Sequence, residues 1–211
     1  YQFGQKAFGE LFISLTTTAS GLRDMLCPNC TLMDCTQLDH YIPKSIFPEF
    51  AANPCNLMQC CSKCNQMKLD RWLEGGQPIF LNLYLDNIPQ EQYLFTSIIF
   101  NGNIPKVEFH LQNSANIKTT LFSRIESHYR ELDLCARFAE KADSVISEIL
   151  REYISAKDEG IDTSQLRNFL KSKARLEQQR FGFNYWKAIL ILELCCNSDF
   201  CRYIETADLI P

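Results

Sequence analysis

Two C-x-x-C pairs, Cys27-Pro28-Asn29-Cys30 and Cys61-Ser62-Lys63-Cys64, constrain this chain more than any other feature. A two-residue gap lets both thiolates of a pair reach one ion. Four soft thiolates in tetrahedral array select zinc and close the site, so that it staples the chain and does not catalyse. The chain holds 11 cysteines, seven of them from Cys27 to Cys64. A secreted disulfide scaffold is one reading of that number, but paired C-x-x-C units in 211 residues favour metal binding in a reducing, cytoplasmic compartment. Cys60 is an alternative to Cys61, although C-x-x-C geometry prefers Cys61. Cys35 and Cys55 are expected in the core or beside the ligands, and Cys195, Cys196 and Cys201 as buried thiols. The 30 residues between the pairs exceed an ordinary ribbon spacing and leave room for a functional hairpin.

Around this centre the chain divides into two expected segments. Residues 1–74 form a finger with a helical lead-in, which carries Phe8, Leu11, Phe12 and Leu15 at helical spacing. The run from Leu11 to Leu22 faintly resembles a signal-peptide core, but it is Thr-rich, follows Glu10 and lacks a basic lead-in, so secretion is not expected. No stretch reaches the roughly 18 uninterrupted apolar residues of a membrane span. From the Gly75-Gly76 turn onward, residues 79–85, 93–100 and 107–111 are rich in β-branched and aromatic side chains, with a turn at Asn101-Gly102-Asn103, and predict a small antiparallel sheet or hairpin. Apolar residues at a 3.6 period predict helix over 119–157. Asp162-Thr163 caps a basic helix running to Arg180, and residues 184–196 are a buried apolar helix. The expected class is α+β. With no Gly/Ser/Pro-rich linker after Trp72, residues 75–211 are expected to pack on the finger.

Composition is that of a soluble globular protein, 46% hydrophobic and 22% charged. The net charge of −4 excludes a protein that coats nucleic acid indiscriminately, so any such contact must come from a local basic patch, a bound metal or a partner. Between the cysteine pairs, Asp39-His40 sets a carboxylate beside an imidazole. One can hold a hard divalent cation and the other can take a proton from water at neutral pH. Lys44, Lys63, Lys68 and Arg71 surround this pair. Lys44, Lys68 and Arg71 are candidates for phosphate contact, with Lys68 and Arg71 one turn apart on a short helix starting near Asn65, and a solvated face as the alternative for Arg71. The run Arg167, Lys171, Lys173, Arg175 and Arg180 is read as a solvated face before a DNA-backbone face, because Leu166, Phe169, Leu170 and Leu176 give that helix an ordinary amphipathic pattern. His110, His128 and Trp186 are read as structural.

The order of these motifs, LDHYIPKS at 38–45, NPCNL at 53–57 and CSKCN at 61–65 followed by Lys68, resembles the HNH family of His-Me finger nucleases over roughly residues 20–72. In that family two strands and a helix grip one metal ion. By motif, the resemblance makes His40 the general base and Asn56 the middle asparagine that fixes the hairpin and the histidine. Asn65 becomes the last signature residue, and Asp39 and Asn65 the catalytic metal ligands. Many members have His at the last position. Asn65 with a carboxylate is a harder ligand set, which points to Mg²⁺ or Mn²⁺.

The resemblance implies a metal-dependent DNA endonuclease, of the kind found in bacterial restriction or antiphage systems, with an ATPase or sensor subunit as a possible class of partner. The competing reading is a zinc ribbon that binds nucleic acid or a protein without cutting. Such a ribbon has no need of Asp39, His40 and Asn65 in register with the cysteine pairs.

Overall fold

The computed structural model describes residues 2–102 and 104–206. The fold is α+β, with small two-stranded antiparallel sheets, a four-cysteine cluster in the N-terminal half and a mainly helical C-terminal region. The chain forms two compact units, one comprising residues up to 88 together with 120–134, the other 89–119 together with residues from 135 onward.

The first unit opens with α1 (Gln2–Leu15), whose described side chains are half-buried or exposed. The chain then runs through the first cysteine pair into β1 (Gln37–His40), which pairs with β2 (Leu57–Cys60) so that Asp39 lies opposite Met58 and His40 opposite Leu57. Leu57, Met58 and Cys60 are buried, and α2 (Ser62–Lys68) follows at once. A two-residue ladder, β3 (Leu73–Glu74) with β4 (Gln77–Pro78), closes a turn through Gly75 and Gly76, both at positive φ, where glycine is free of the Cβ clash.

In the second unit, β5 (Leu94–Asn101) and β6 (Ile104–Leu111) form a hairpin. Next in the chain, α3 (Thr119–Glu131) belongs almost wholly to the first unit and α4 (Leu134–Asp158) almost wholly to the second. The second unit continues with α5 (Thr163–Phe181), α6 (Trp186–Leu194) and α7 (Ser198–Thr206). Its core is built on rings: Phe138 and Trp186 stack at 5.5 Å, and Phe109 meets them edge-on at 5.7 and 6.3 Å. Asn184 Oδ1 accepts from Tyr93 N and Leu94 N at 2.7 and 2.9 Å, tying the hairpin to the start of α6. As expected from its sequence, α5 is capped by Asp162, which accepts from Ser164 N and Gln165 N.

Several expectations need correction. Residues 79–85 are not a strand. Ile79, Phe80 and Leu81 are buried in succession, and then Asn82 turns the chain, its Oδ1 accepting from Tyr84 N and Leu85 N at 3.1 and 3.2 Å. A side chain that satisfies the backbone locally competes with a ladder. Helix over 119–157 breaks at Asp133 (φ +49°), a left-handed residue that cannot continue it, and the break lets both Leu132 and Leu134 be buried. The helix expected near Asn65 begins three residues earlier and ends at Lys68, where Leu69 adopts φ +52°, so Arg71 lies beyond it. Phe169 and Leu176 are exposed, and α5 buries Leu170 and Ala174 instead. Asn103 of the expected turn lies outside the described residues. Among the described residues, no helix is long and apolar enough to cross a membrane.

Candidate metal centre and adjoining cleft

The two C-x-x-C loops converge. The sulfur atoms of Cys27, Cys30, Cys61 and Cys64 all lie within 4.8 Å of one another, and all four residues are buried. Cys30 Sγ and Cys61 Sγ are 3.8 Å apart, far beyond the roughly 2.05 Å of a disulfide. That separation is the edge of a tetrahedron with metal–sulfur bonds of about 2.3 Å. Such a cluster can hold a metal ion such as zinc.

Local structure explains the convergence. Cys61 Sγ accepts from Cys64 N at 3.4 Å and so caps α2, bringing the second pair together on the first helical turn. In the first pair, Cys30 N and Thr31 N both donate to Cys27 O, at 3.2 and 2.7 Å, curling the loop into one tight turn. The Cys30 thiol lowers that of Cys27, but Cys35, Cys61 and burial outweigh it and raise the Cys27 thiol to about 11, which a cation at the centre would reverse.

The other cysteines separate by position. Cys35 is buried and donates to Leu26 O, and burial pushes the Cys60 thiol far up; neither belongs to the four. Cys55 and Cys196 are exposed and Cys201 is half-buried, against the expectation that they lie in the interior.

Next to this centre, Gln37, Asp39, His40, Lys44, Asn65 and Asp70 line one open cleft of about 350 Å³. Strand alternation puts Gln37 and Asp39 on the same face of β1, toward α2. Asn65 Nδ2 donates to Gln37 Oε1 at 2.6 Å, which leaves its amide oxygen as the atom it can offer a cation. Gln37 was not anticipated as part of the site, although its place two residues before Asp39 on a strand was the available signal.

His40 is held from the long loop between the strands. Its Nε2 lies 3.0 Å from Ala51 O. A carbonyl only accepts, so Nε2 carries the proton of the neutral ring and Nδ1 carries the lone pair. The loop itself is fixed by Asn56, whose Oδ1 accepts from Ile42 N at 2.7 Å and whose Nδ2 donates to Ile42 O and Phe50 O at 3.0 and 3.1 Å. Asn56 is buried and clamps both ends of the loop. Through Phe50 it sets the carbonyl of Ala51, and through that the ring of His40.

Two basic candidates stand elsewhere than expected. Lys68 is buried, its Nζ 3.1 Å from Asp39 Oδ2 and 3.4 Å from Oδ1, and it donates to His40 O at 2.7 Å. Burial raises the Asp39 carboxyl and the ammonium opposes that rise. As it stands, Lys68 therefore serves β1 from within and does not face a phosphate. Arg71 pairs with Glu131 and donates to Met67 O at 2.6 Å. Lys44 is exposed on the cleft.

Of the basic run on α5, Lys173 pairs with Glu152 at 3.6 Å and Arg167 bonds Tyr153. His110 is exposed and stacks on Phe95 at 6.0 Å, whereas His128 is buried and Trp186 lies in the core. Leu81 N donates to His128 Nδ1 at 3.3 Å, and the ring also bonds the backbone of Asn29, inside the first C-x-x-C loop.

No family model and no solved structure matches the chain. It is similar to protein ea31 of Escherichia phage lambda, at 25% identity over 197 aligned positions that cover 84% of this chain and 64% of that protein. The chain thus spans under two thirds of the length of the curated relative it matches.

Proposed function

We propose that this chain is a metal-dependent DNA endonuclease of the HNH type, its finger stapled by zinc on Cys27, Cys30, Cys61 and Cys64. The observation that carries the reading is the meeting of Asp39, His40 and Asn65 in one cleft on a strand–strand–helix unit, with Asn56 clamping the loop that orients His40. The free cysteines suit a reducing compartment such as the cytoplasm.

In this reading Nδ1 of His40 takes a proton from water. The water oxygen bonds to phosphorus as the bond to the 3′ oxygen breaks in line, and the departing 3′ oxygen takes a proton from solvent, giving a 5′-phosphate and a 3′-hydroxyl. A carboxylate and an amide oxygen fit a hard divalent cation such as Mg²⁺ or Mn²⁺, which when bound offsets negative charge at the phosphate. Asp39 keeps lone pairs beyond those facing Lys68, and Asn65 adds its amide oxygen. Ala51 and Asn56 keep His40 in its tautomer and orientation, a role worth much of the base's effect. Partner subunits of the ATPase or sensor type, and a restriction or antiphage role, belong to the same proposal.

One observation favours the competing reading of a zinc-stapled binding module: both oxygens of Asp39 face an ammonium. Incubation with plasmid and single-stranded DNA, with Mg²⁺ or Mn²⁺ and with chelator, separates the two. The nuclease cuts with metal, stops with chelator, and loses about 10² to 10⁴ in rate on His40→Ala with folding and zinc content unchanged. Binding without cutting in either metal would leave the binding module as the better account, and cutting by His40→Ala at the wild-type rate would remove His40 from the site.

A further inference from the structure

A surface can grip a nucleic acid by its phosphates or by its bases, and the ground around the cleft is poor in the first and rich in the second. Among the described residues lining the cleft, Lys44 supplies the one ammonium at its mouth, while Lys68 is committed to the interior and Arg71 to Glu131. Asp70 stands on the lip, accepting from Ser45 Oγ at 2.7 Å, and the whole chain carries −4. Beyond that lip the side chains turn apolar. Ile46 is 55% exposed, Phe50 39% and Leu69 65%. The Phe47 ring lies 6.3 Å from that of Phe50 and edge-on to Trp72 at 5.8 Å. Leu69 also lines the cleft, so the rim is continuous with it.

This rim is rigid. Ile46 N and Phe47 N donate to Pro43 O at 3.1 and 3.0 Å, Phe50 N donates to Phe47 O at 3.1 Å, and Asn56 holds Phe50 O. Rings presented on so stitched a loop lose little freedom on binding, which favours stacking of a planar partner.

We propose that the exposed Phe50, backed by the half-buried Phe47 and Trp72 and flanked by Ile46 and Leu69, forms a stacking rim for unpaired bases, so that the chain prefers a single-stranded segment to a duplex. The proposal rests on the nucleolytic reading of the cleft. Base stacking on an aromatic ring tolerates any sequence, and a single strand offers its bases and brings a sparser phosphate array to an acidic protein than a duplex, which hides its bases.

The test measures binding of the full, zinc-loaded chain, with no added divalent ion, to three labelled DNAs of equal length: a single strand, the same strand with abasic sites throughout its middle, and the duplex. The expected order is single strand tightest, with about a tenfold loss for the abasic strand. Phe50→Ala erases that difference and Phe50→Tyr retains it, both with wild-type zinc content. Equal binding of normal and abasic strands overturns the proposal, as does tighter binding of the duplex. So does a concentration-dependent dimer that Phe50→Ala dissolves without any oligonucleotide preference, which would assign the rim to a second copy. Because binding is read without turnover, a strand bound in the expected order but never cut with any divalent ion supports the rim and removes the nuclease. A strand that is cut, yet bound no better than its abasic version, does the reverse.

Discussion

Lys68 Nζ lies 3.1 Å from Asp39 Oδ2 with both side chains about nine-tenths buried, and the same ammonium donates to the carbonyl of His40. The final residue of α2 thus holds the end of β1 on which two site residues stand. Removing one partner of a buried pair strands the other charge, which typically costs about 3–5 kcal/mol. Lys68→Met should therefore destabilise the chain by that order in chemical denaturation, and Asp39→Leu with Lys68→Met should recover much of the loss. A single mutant within about 1 kcal/mol of wild type would mean the pair is not a structural tie.

Purified protein should carry about one zinc per chain by elemental analysis, and Cys61→Ser or Cys27→Ser should lose it together with the folded finger. Structural zinc in small modules contributes on the order of 10 kcal/mol, more than the surrounding core supplies. Cys60→Ala and Cys35→Ala should keep the metal, since neither sulfur belongs to the four. Metal retained after loss of Cys61 but not of Cys60 would assign the fourth ligand to Cys60.

Asn56→Ala and Asn65→Ala should fail in different ways. The first removes bonds to Ile42 and Phe50 in a buried setting, for a loss of about 1–3 kcal/mol. It should also change the pH profile of cleavage, because the carbonyl that sets the His40 tautomer is released. The second should leave stability and that profile nearly alone and raise the divalent-ion concentration for half-maximal rate by about tenfold or more. Identical phenotypes for the two would argue against separate roles.

Acid should weaken the first unit through His128. Burial depresses this ring from 6.5 to about 4, with Asp86 and the bond to Asn29 opposing. Between those values the unfolded chain binds a proton that the folded chain refuses, so stability rises with pH. The contribution is whole above about pH 6.5 and is lost as pH falls toward 4, amounting to about 3 kcal/mol. Denaturation midpoints at pH 7 and 5, with zinc content followed alongside, should differ less in His128→Gln than in wild type. Equal pH dependence in the two proteins would remove His128 from the account.

What the sequence made legible was local. The spacing of the thiols and the Asp162 cap follow from short-range rules, whereas Asp39, His40 and Asn56, on one strand and the loop after it, were marked by the order of the motifs and the resemblance it carries. The burial of Lys68 did not, because a lysine one turn after Asn65 reads as a solvated cation until the carboxylate beneath it is known. The start of α2 was missed for a similar reason. A cysteine is not a usual cap, and only the fold reveals that Cys61 both joins the sulfur cluster and accepts the helix amide. His128 and Leu81, 47 positions apart, share no signal that a single chain displays.

The first unit is discontinuous, and that has a consequence during synthesis. All four clustered thiols have left the ribosome long before His128 has, so a metal ion can load onto the nascent chain while Leu81 N and the Asn29 backbone still lack their imidazole. Until α3 emerges, Phe80 and Leu81 face solvent or a chaperone. Truncations ending at 74 or 88 freeze that interval, giving a metal-loaded but uncovered fragment. Fragments meant to isolate the finger should therefore run to residue 134, carrying the intervening hairpin as cargo.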